Sequence, residues 1–147
     1  MNNLPTLRAA CVVLGLLCLQ TTADAQSPDA KGLAFFESKI RPVLVKDCYQ
    51  CHSAESVKTK KLRGGLQLDT REGIRKGGDA GPAVVPGDVK KSLLLLAMRH
   101  DSKVEKMPPS GKLSDEVIAD FAKWIEMGAP DPRDGGVLPG KRSIDLA

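Results

Sequence analysis

The chain has 147 residues, with 22 Lys and Arg against 18 Asp and Glu, a formal net charge of +4 and a pI near 8.9. Aromatic residues make up 3%: three Phe, one Tyr and one Trp. There is no nucleic-acid-binding motif and no aromatic stacking platform, which argues against a nucleic-acid partner.

Residues 1–25 read as a secretory signal peptide. Arg8 supplies the positive region and Ala9 to Leu19 the apolar stretch, which is short for a membrane span. Ala23-Asp24-Ala25 is a small-x-small cleavage site, so Gln26 is the expected first mature residue. A retained anchor is the alternative. A lipid-modified cysteine is disfavoured, because Cys11 and Cys18 lie in or beside the apolar run. The expectation is therefore an exported, periplasmic protein with no stable membrane insertion after cleavage. The mature chain divides into a folded domain over 26–130 and a flexible tail over 131–147, rich in Gly, Pro and charge.

Ser27-Pro28-Asp29 is a helix start, with an N-cap, proline at the first helical position and an acid in the first turn. Leu33, Phe36 and Ile40 follow at helical spacing. Pro42 is expected to end or kink this helix after Arg41, and can open a second short one through Val43, Leu44 and Val45.

That helix leads into Cys48-Tyr49-Gln50-Cys51-His52, a C-x-x-C-H pattern. This is an attachment site for a c-type haem. Two thiols three positions apart can reach the two vinyl groups of one porphyrin edge, and His52 follows as an axial ligand to the iron. The motif uses every cysteine of the mature chain. A disulfide pair and half of a zinc site remain as other readings of Cys48 and Cys51. Zinc could draw on Cys48, Cys51, His52 and His100, but adjacent ligands make an awkward tetrahedron. Thioredoxin-like chemistry needs a strand-to-helix context that is missing. Haem attachment and export agree with one another, and a large apolar plate would supply core that this aromatic-poor chain lacks. Folding is therefore expected to be coupled to attachment.

Lys58, Lys60, Lys61 and Arg63 follow the motif closely. They form either a solvated loop or a docking surface for an acidic redox partner. From Ser53 to Gly87 the chain is polar and glycine-rich. A brief alternation at Gly64-Gly65-Leu66-Gln67-Leu68-Asp69 suggests a short extended piece, and Gly77 to Pro82 and Val85 to Asp88 carry turn chemistry. These glycines do not fit a phosphate-binding loop. Asp88 can cap a helix running through Val89, Leu93, Leu96 and Ala97 to about His100, with the Leu93–Leu96 run as core.

The last helix has Ser114 as N-cap, Asp115 and Glu116 in its first turn, and a hydrophobic staple of Leu113 with Ile118. Ile118, Phe121 and Ile125 form its apolar face. Gly128 is its C′ residue, and Pro130 blocks continuation.

A second axial ligand could be Met98, Met107, Met127 or His100. Met107 is preferred. Pro108-Pro109 stiffen the chain after it and keep it out of a helix, whereas Met98 and Met127 fall on helices as packing residues. His100 falls at a helix end, where it can complement the dipole. His/Met ligation raises the reduction potential relative to a second nitrogen ligand and leaves no open iron position.

The ordered motifs from Phe36 to Pro130 resemble the planctomycete-type cytochrome c domain. They are Ile40-Arg41-Pro42-Val43-Leu44, C-x-x-C-H, Gly64 to Asp69, Lys76 to Asp79, Val85 to Asp88, Lys91 to Leu94, Lys106-Met107-Pro108-Pro109 and Trp124 to Pro130. The resemblance implies an all-α fold: a small cytochrome-c-like helical domain wrapped around one covalent haem c, with long glycine-rich loops. It implies attachment at Cys48 and Cys51 and ligation of iron by His52 and Met107. The family's domain usually fronts much longer exported proteins, whereas this chain stops soon after it. The function expected is single-electron transfer between redox partners, not catalysis. A small peroxidase-like enzyme and a redox-sensing or docking subunit are the alternatives.

Overall fold

The computed structural model describes residues 28–133. They fold as helices and loops with no strand, the nearest approach to one being an isolated bridge between Gly78 and Gly81. The assigned signal peptide, and the expected tail beyond Arg133, lie outside the described residues.

Helix α1 spans Pro28–Phe35, and the expected cap Ser27 lies outside the described residues. The chain then stays helical through Pro42. A π-helical stretch (Phe36–Ile40), a short α2 (Arg41–Val43) and a second π-helical stretch (Leu44–Cys48) run on without a break. Proline has no N–H to give to the carbonyl four residues back. Five-residue hydrogen bonds, such as Arg41 N–H to Phe36 O and Tyr49 N–H to Leu44 O at 3.0 Å, absorb that misfit. The expected break at Arg41 is thus a widening of the helix, and the segment delivers Cys48 at its end.

Four short or medium helices follow: α3 (Ala54–Lys58), α4 (Arg71–Lys76), α5 (Leu93–Met98) and α6 (Asp115–Glu126). In α6 the Ser114 hydroxyl accepts from Val117 N–H at 3.3 Å. At its other end Gly128 N–H reaches Ile125 O and Ala129 N–H reaches Trp124 O, both at 2.9 Å, with Gly128 at φ 90°. This is a Schellman cap on the glycine the sequence marked.

Two elements differ from the sequence pattern. Asp88 does not cap α5. Its carboxylate accepts from the Lys90 and Lys91 N–H groups in a local turn, both at 3.0 Å, and the helix starts four residues later, after Ser92. The short side chain prefers this turn to waiting for a helix. Residues 64–69 form no strand: Leu68 N–H bonds to His52 O at 2.8 Å, Leu66 N–H to Arg63 O at 3.2 Å, and Gly64 O accepts from Asp79 N–H at 2.9 Å.

The core joins the first helical segment to α6. Phe36, Ile40, Leu44, Phe121, Trp124 and Ile125 are fully buried. Phe36 and Trp124 rings lie 5.6 Å apart, and Phe121 meets Trp124 edge-on at 6.1 Å. Leu94 and Leu95 of α5 pack into the same cluster. Such aromatic pairs add about 0.5–1.5 kcal/mol each beyond their burial. Gly32 lets α1 come close to the chain after α6: a Cβ there would stand 2.5 Å from Pro130 Cγ.

Candidate haem-binding site

Cys48, Cys51 and His52 lie on one turn. The Cys48 carbonyl accepts from Cys51 N–H at 3.2 Å and from His52 N–H at 3.0 Å. Residues three apart on such a turn project to one side, so both thiols can meet one porphyrin edge. Both are unpaired. Burial, followed by the neighbouring Asp47 charge, pushes the Cys48 thiol up to about 12, so it stays protonated at neutral pH. A thiol in that state is a poor disulfide-exchange nucleophile. This speaks against the redox-dithiol reading.

The turn is braced on both sides. After it, Ser53 caps α3 in a reciprocal box: its hydroxyl accepts from Ser56 N–H, and Ser56 Oγ accepts from Ser53 N–H at 2.9 Å. The Asp69 carboxylate accepts from Ala54 N–H at 2.7 Å. Opposite, residues 63–68 run along the turn. Arg63 N–H bonds to Cys51 O at 3.2 Å and Leu68 N–H to His52 O at 2.8 Å.

His52 is buried, at 9% exposure. Its Nδ1 lies 3.2 Å from the Leu66 carbonyl oxygen. A carbonyl only accepts, so Nδ1 carries the proton and Nε2 keeps its lone pair. Metal-binding histidines are usually oriented in this way, by a carbonyl or carboxylate behind the ring. The Leu66 segment is itself backed by Gly78. A Cβ on Gly78 would stand 2.0 Å from Gly64 O and 2.9 Å from Leu66 Cβ.

The donor set fits a covalent haem: two unpaired thiols on one turn and a buried imidazole held with Nε2 to spare. Two of the exposed large apolar side chains, Val45 and Val57, flank the motif. The zinc alternative gathers no support: among the described residues no three His, Cys, Asp or Glu form a cluster able to hold a metal ion.

Of the distal candidates, Met98 is a core residue at 3% exposure and Met127 sits exposed at the C-cap of α6. Met107 is half-buried in a loop, with its N–H bonded to Ala97 O at 3.1 Å. His100 N–H bonds to that same carbonyl at 3.0 Å.

Sequence reasoning missed one part of the site. Arg133 was assigned to the expected tail, yet it reaches Tyr49 inside C-x-x-C-H. Its guanidinium donates to Tyr49 OH at 2.5 Å, to Leu68 O at 2.6 Å and to both oxygens of Asp131. It also stacks over Phe36 at 5.0 Å. The Arg133 and Asp131 side chains are 7% and 1% exposed. Burial works to lower the Arg133 pKa, but the bond and charge of Asp131, helped by Tyr49, raise it above its ordinary value. Tyr49 is raised by burial, against the pull of Arg133. The acid and base two positions apart were the only signal, and a Pro- and charge-rich terminus obscures it.

A helical domain in which two free thiols share one turn with an oriented histidine suits a c-type cytochrome. Residues 48–111 match the family model described as Planctomycete cytochrome C, from the first cysteine to just past Met107-Pro108-Pro109. Over that span the chain is similar to the planctomycete-type cytochrome c, the family its motifs resemble. No curated protein and no solved structure matches it.

Proposed function

We propose that this protein is an exported monohaem c-type cytochrome that passes single electrons between periplasmic redox partners. The observation that carries the reading is the His52 ring, whose Nδ1 is fixed on the Leu66 carbonyl so that Nε2 faces its task unprotonated. Cys48 and Cys51 would hold the cofactor covalently, and His52 and Met107 would ligate its iron. A haem so held supplies reversible one-electron exchange at iron. Met107 as second ligand would raise the potential and leave the iron without the open position an enzyme would need. A braced turn suits this work, because ligands that do not move between oxidation states cost little reorganisation.

Among the described residues no helix is long and apolar enough to cross a membrane. Lys58, Lys60, Lys61 and Arg63 are all exposed beside the motif. They would steer an acidic partner, speeding encounter more than tightening the complex.

The test is the spectrum and voltammetry of the chain matured where c-type haem is attached. Expected are a covalent low-spin haem, a methionine-to-iron charge-transfer band when oxidised, one reversible one-electron wave, and no reaction of the reduced form with carbon monoxide. A high-spin iron that takes carbon monoxide readily would replace this reading with a sensor or enzyme.

A further inference from the structure

Helix α5 ends on a histidine. Asp101 N–H bonds to Leu96 O at 3.1 Å and His100 N–H to Ala97 O at 3.0 Å. This is the Schellman pattern, with His100 at the left-handed C′ position, φ 58°. Glycine normally fills that position, because a side chain there is strained. Among the described residues the same pattern closes α3, with Lys60 at φ 57°, and α6, with Gly128 at φ 90°. The cap fixes the His100 backbone at the end of α5, and what sets this residue apart is its side chain.

The imidazole carries the anomaly. His100 Nε2 is buried and has no hydrogen-bond partner. A buried polar nitrogen left unpaired is destabilising. An imidazole nitrogen is also a good iron ligand. His52 and His100 are the only two histidines of the chain.

The third observation joins His100 to Met107. The Ala97 carbonyl accepts from both His100 N–H and Met107 N–H, at 3.0 and 3.1 Å. One acceptor atom thus closes residues 98–106 into a loop with the two candidate ligands at its neck. Whatever brings Met107 to the iron brings the His100 backbone to the same place.

From this juxtaposition we propose that His100 is a second distal ligand, competing with Met107 for one iron position: when the Met107 thioether leaves the iron, His100 Nε2 takes the vacated bond. This rests on the haem reading and on Met107 as the resting ligand. The exchange breaks one S–Fe bond and makes one N–Fe bond, with no change in oxidation state. It would turn a high-potential His/Met centre into a low-potential His/His one.

The experiment uses the haem-loaded full chain and three variants: Met107→Leu, His100→Gly and the double variant. Leucine keeps the bulk of Met107 without its sulfur, and glycine suits φ 58°, so each should fold. Circular dichroism confirms this before the spectra are read. For Met107→Leu the expected result is loss of the methionine-to-iron band with low-spin iron retained, a paramagnetic resonance signature of two axial nitrogens and a lower potential. The double variant should become high-spin and bind carbon monoxide. His100→Gly alone should keep the methionine band. A high-spin Met107→Leu variant overturns the proposal and leaves Met107 as sole ligand. A double variant that stays low-spin also overturns it, since another group then fills the position. A wild-type chain with no methionine band, unchanged in Met107→Leu, refutes the underlying Met107 assignment instead. A wild-type chain carrying no covalent haem refutes both.

Discussion

Replacing Arg133 with Met probes the latch across the attachment turn. Methionine keeps an apolar stem over Phe36 and removes only the guanidinium. What remains is the Asp131 carboxylate, 1% exposed, with its cation gone. Breaking a buried ion pair from one side costs about 3–5 kcal/mol, because the other charge is left uncompensated. Tyr49 OH and Leu68 O lose a donor too, but all of these bonds belong to one cation, so their costs do not add in full. A loss of about 4 kcal/mol follows, a large share of the 5–15 kcal/mol that typically holds a small domain together. At roughly 4–8 °C per kcal/mol for a domain of about this size, the midpoint should fall by some 15–30 °C. Urea unfolding followed by far-ultraviolet circular dichroism measures it. The double variant Asp131→Asn/Arg133→Met should recover about 2 kcal/mol, since no buried charge is then stranded. A single variant within about 1 kcal/mol of wild type would refute the argument, because the pair would then have to be solvated.

Three further outcomes follow from the site. With Cys48 and Cys51 both replaced by Ala, no haem should stay on the chain through denaturing electrophoresis, read by haem staining. Gly78→Ala would drive a methyl against Gly64 O, 2.0 Å away. It should cost about 2 kcal/mol or more and raise the reduction potential as Leu66 O draws back from Nδ1–H, as read by urea titration and voltammetry. The haem-free chain should lose stability as pH rises. The folded-state Cys48 pKa is raised from 9.0 to about 12, so its contribution is full below 9.0 and is lost through that window. The ceiling is about 4 kcal/mol, at roughly 1.36 kcal/mol per unit. Cys48→Ala should abolish the slope, as should thioether formation in the loaded protein.

What the sequence made legible was local. Ser114 and Gly128 mark α6 at its two ends, and the structure places both as the pattern says. C-x-x-C-H is likewise a contiguous signal whose spacing alone implies one turn. What escaped was carried by backbone atoms or by distance along the chain. The Leu66 carbonyl that orients His52 has no side-chain signature. Arg133 lies 84 positions from Tyr49, and no periodicity links them. Pro42 misled because a proline reads as a stop unless the helix can widen around it. Asp88 misled because an aspartate caps a turn as readily as a helix.

The close approach of Gly32 to Pro130, and of Arg133 to Phe36, has an architectural consequence. Entry to the folded body and exit from it lie side by side. A unit with adjacent ends can be spliced into a surface loop of a host protein without stretching either partner. It can equally be cut and rejoined elsewhere, its old ends bridged by a short linker. The C-x-x-C-H turn and its braces should travel intact through either rearrangement.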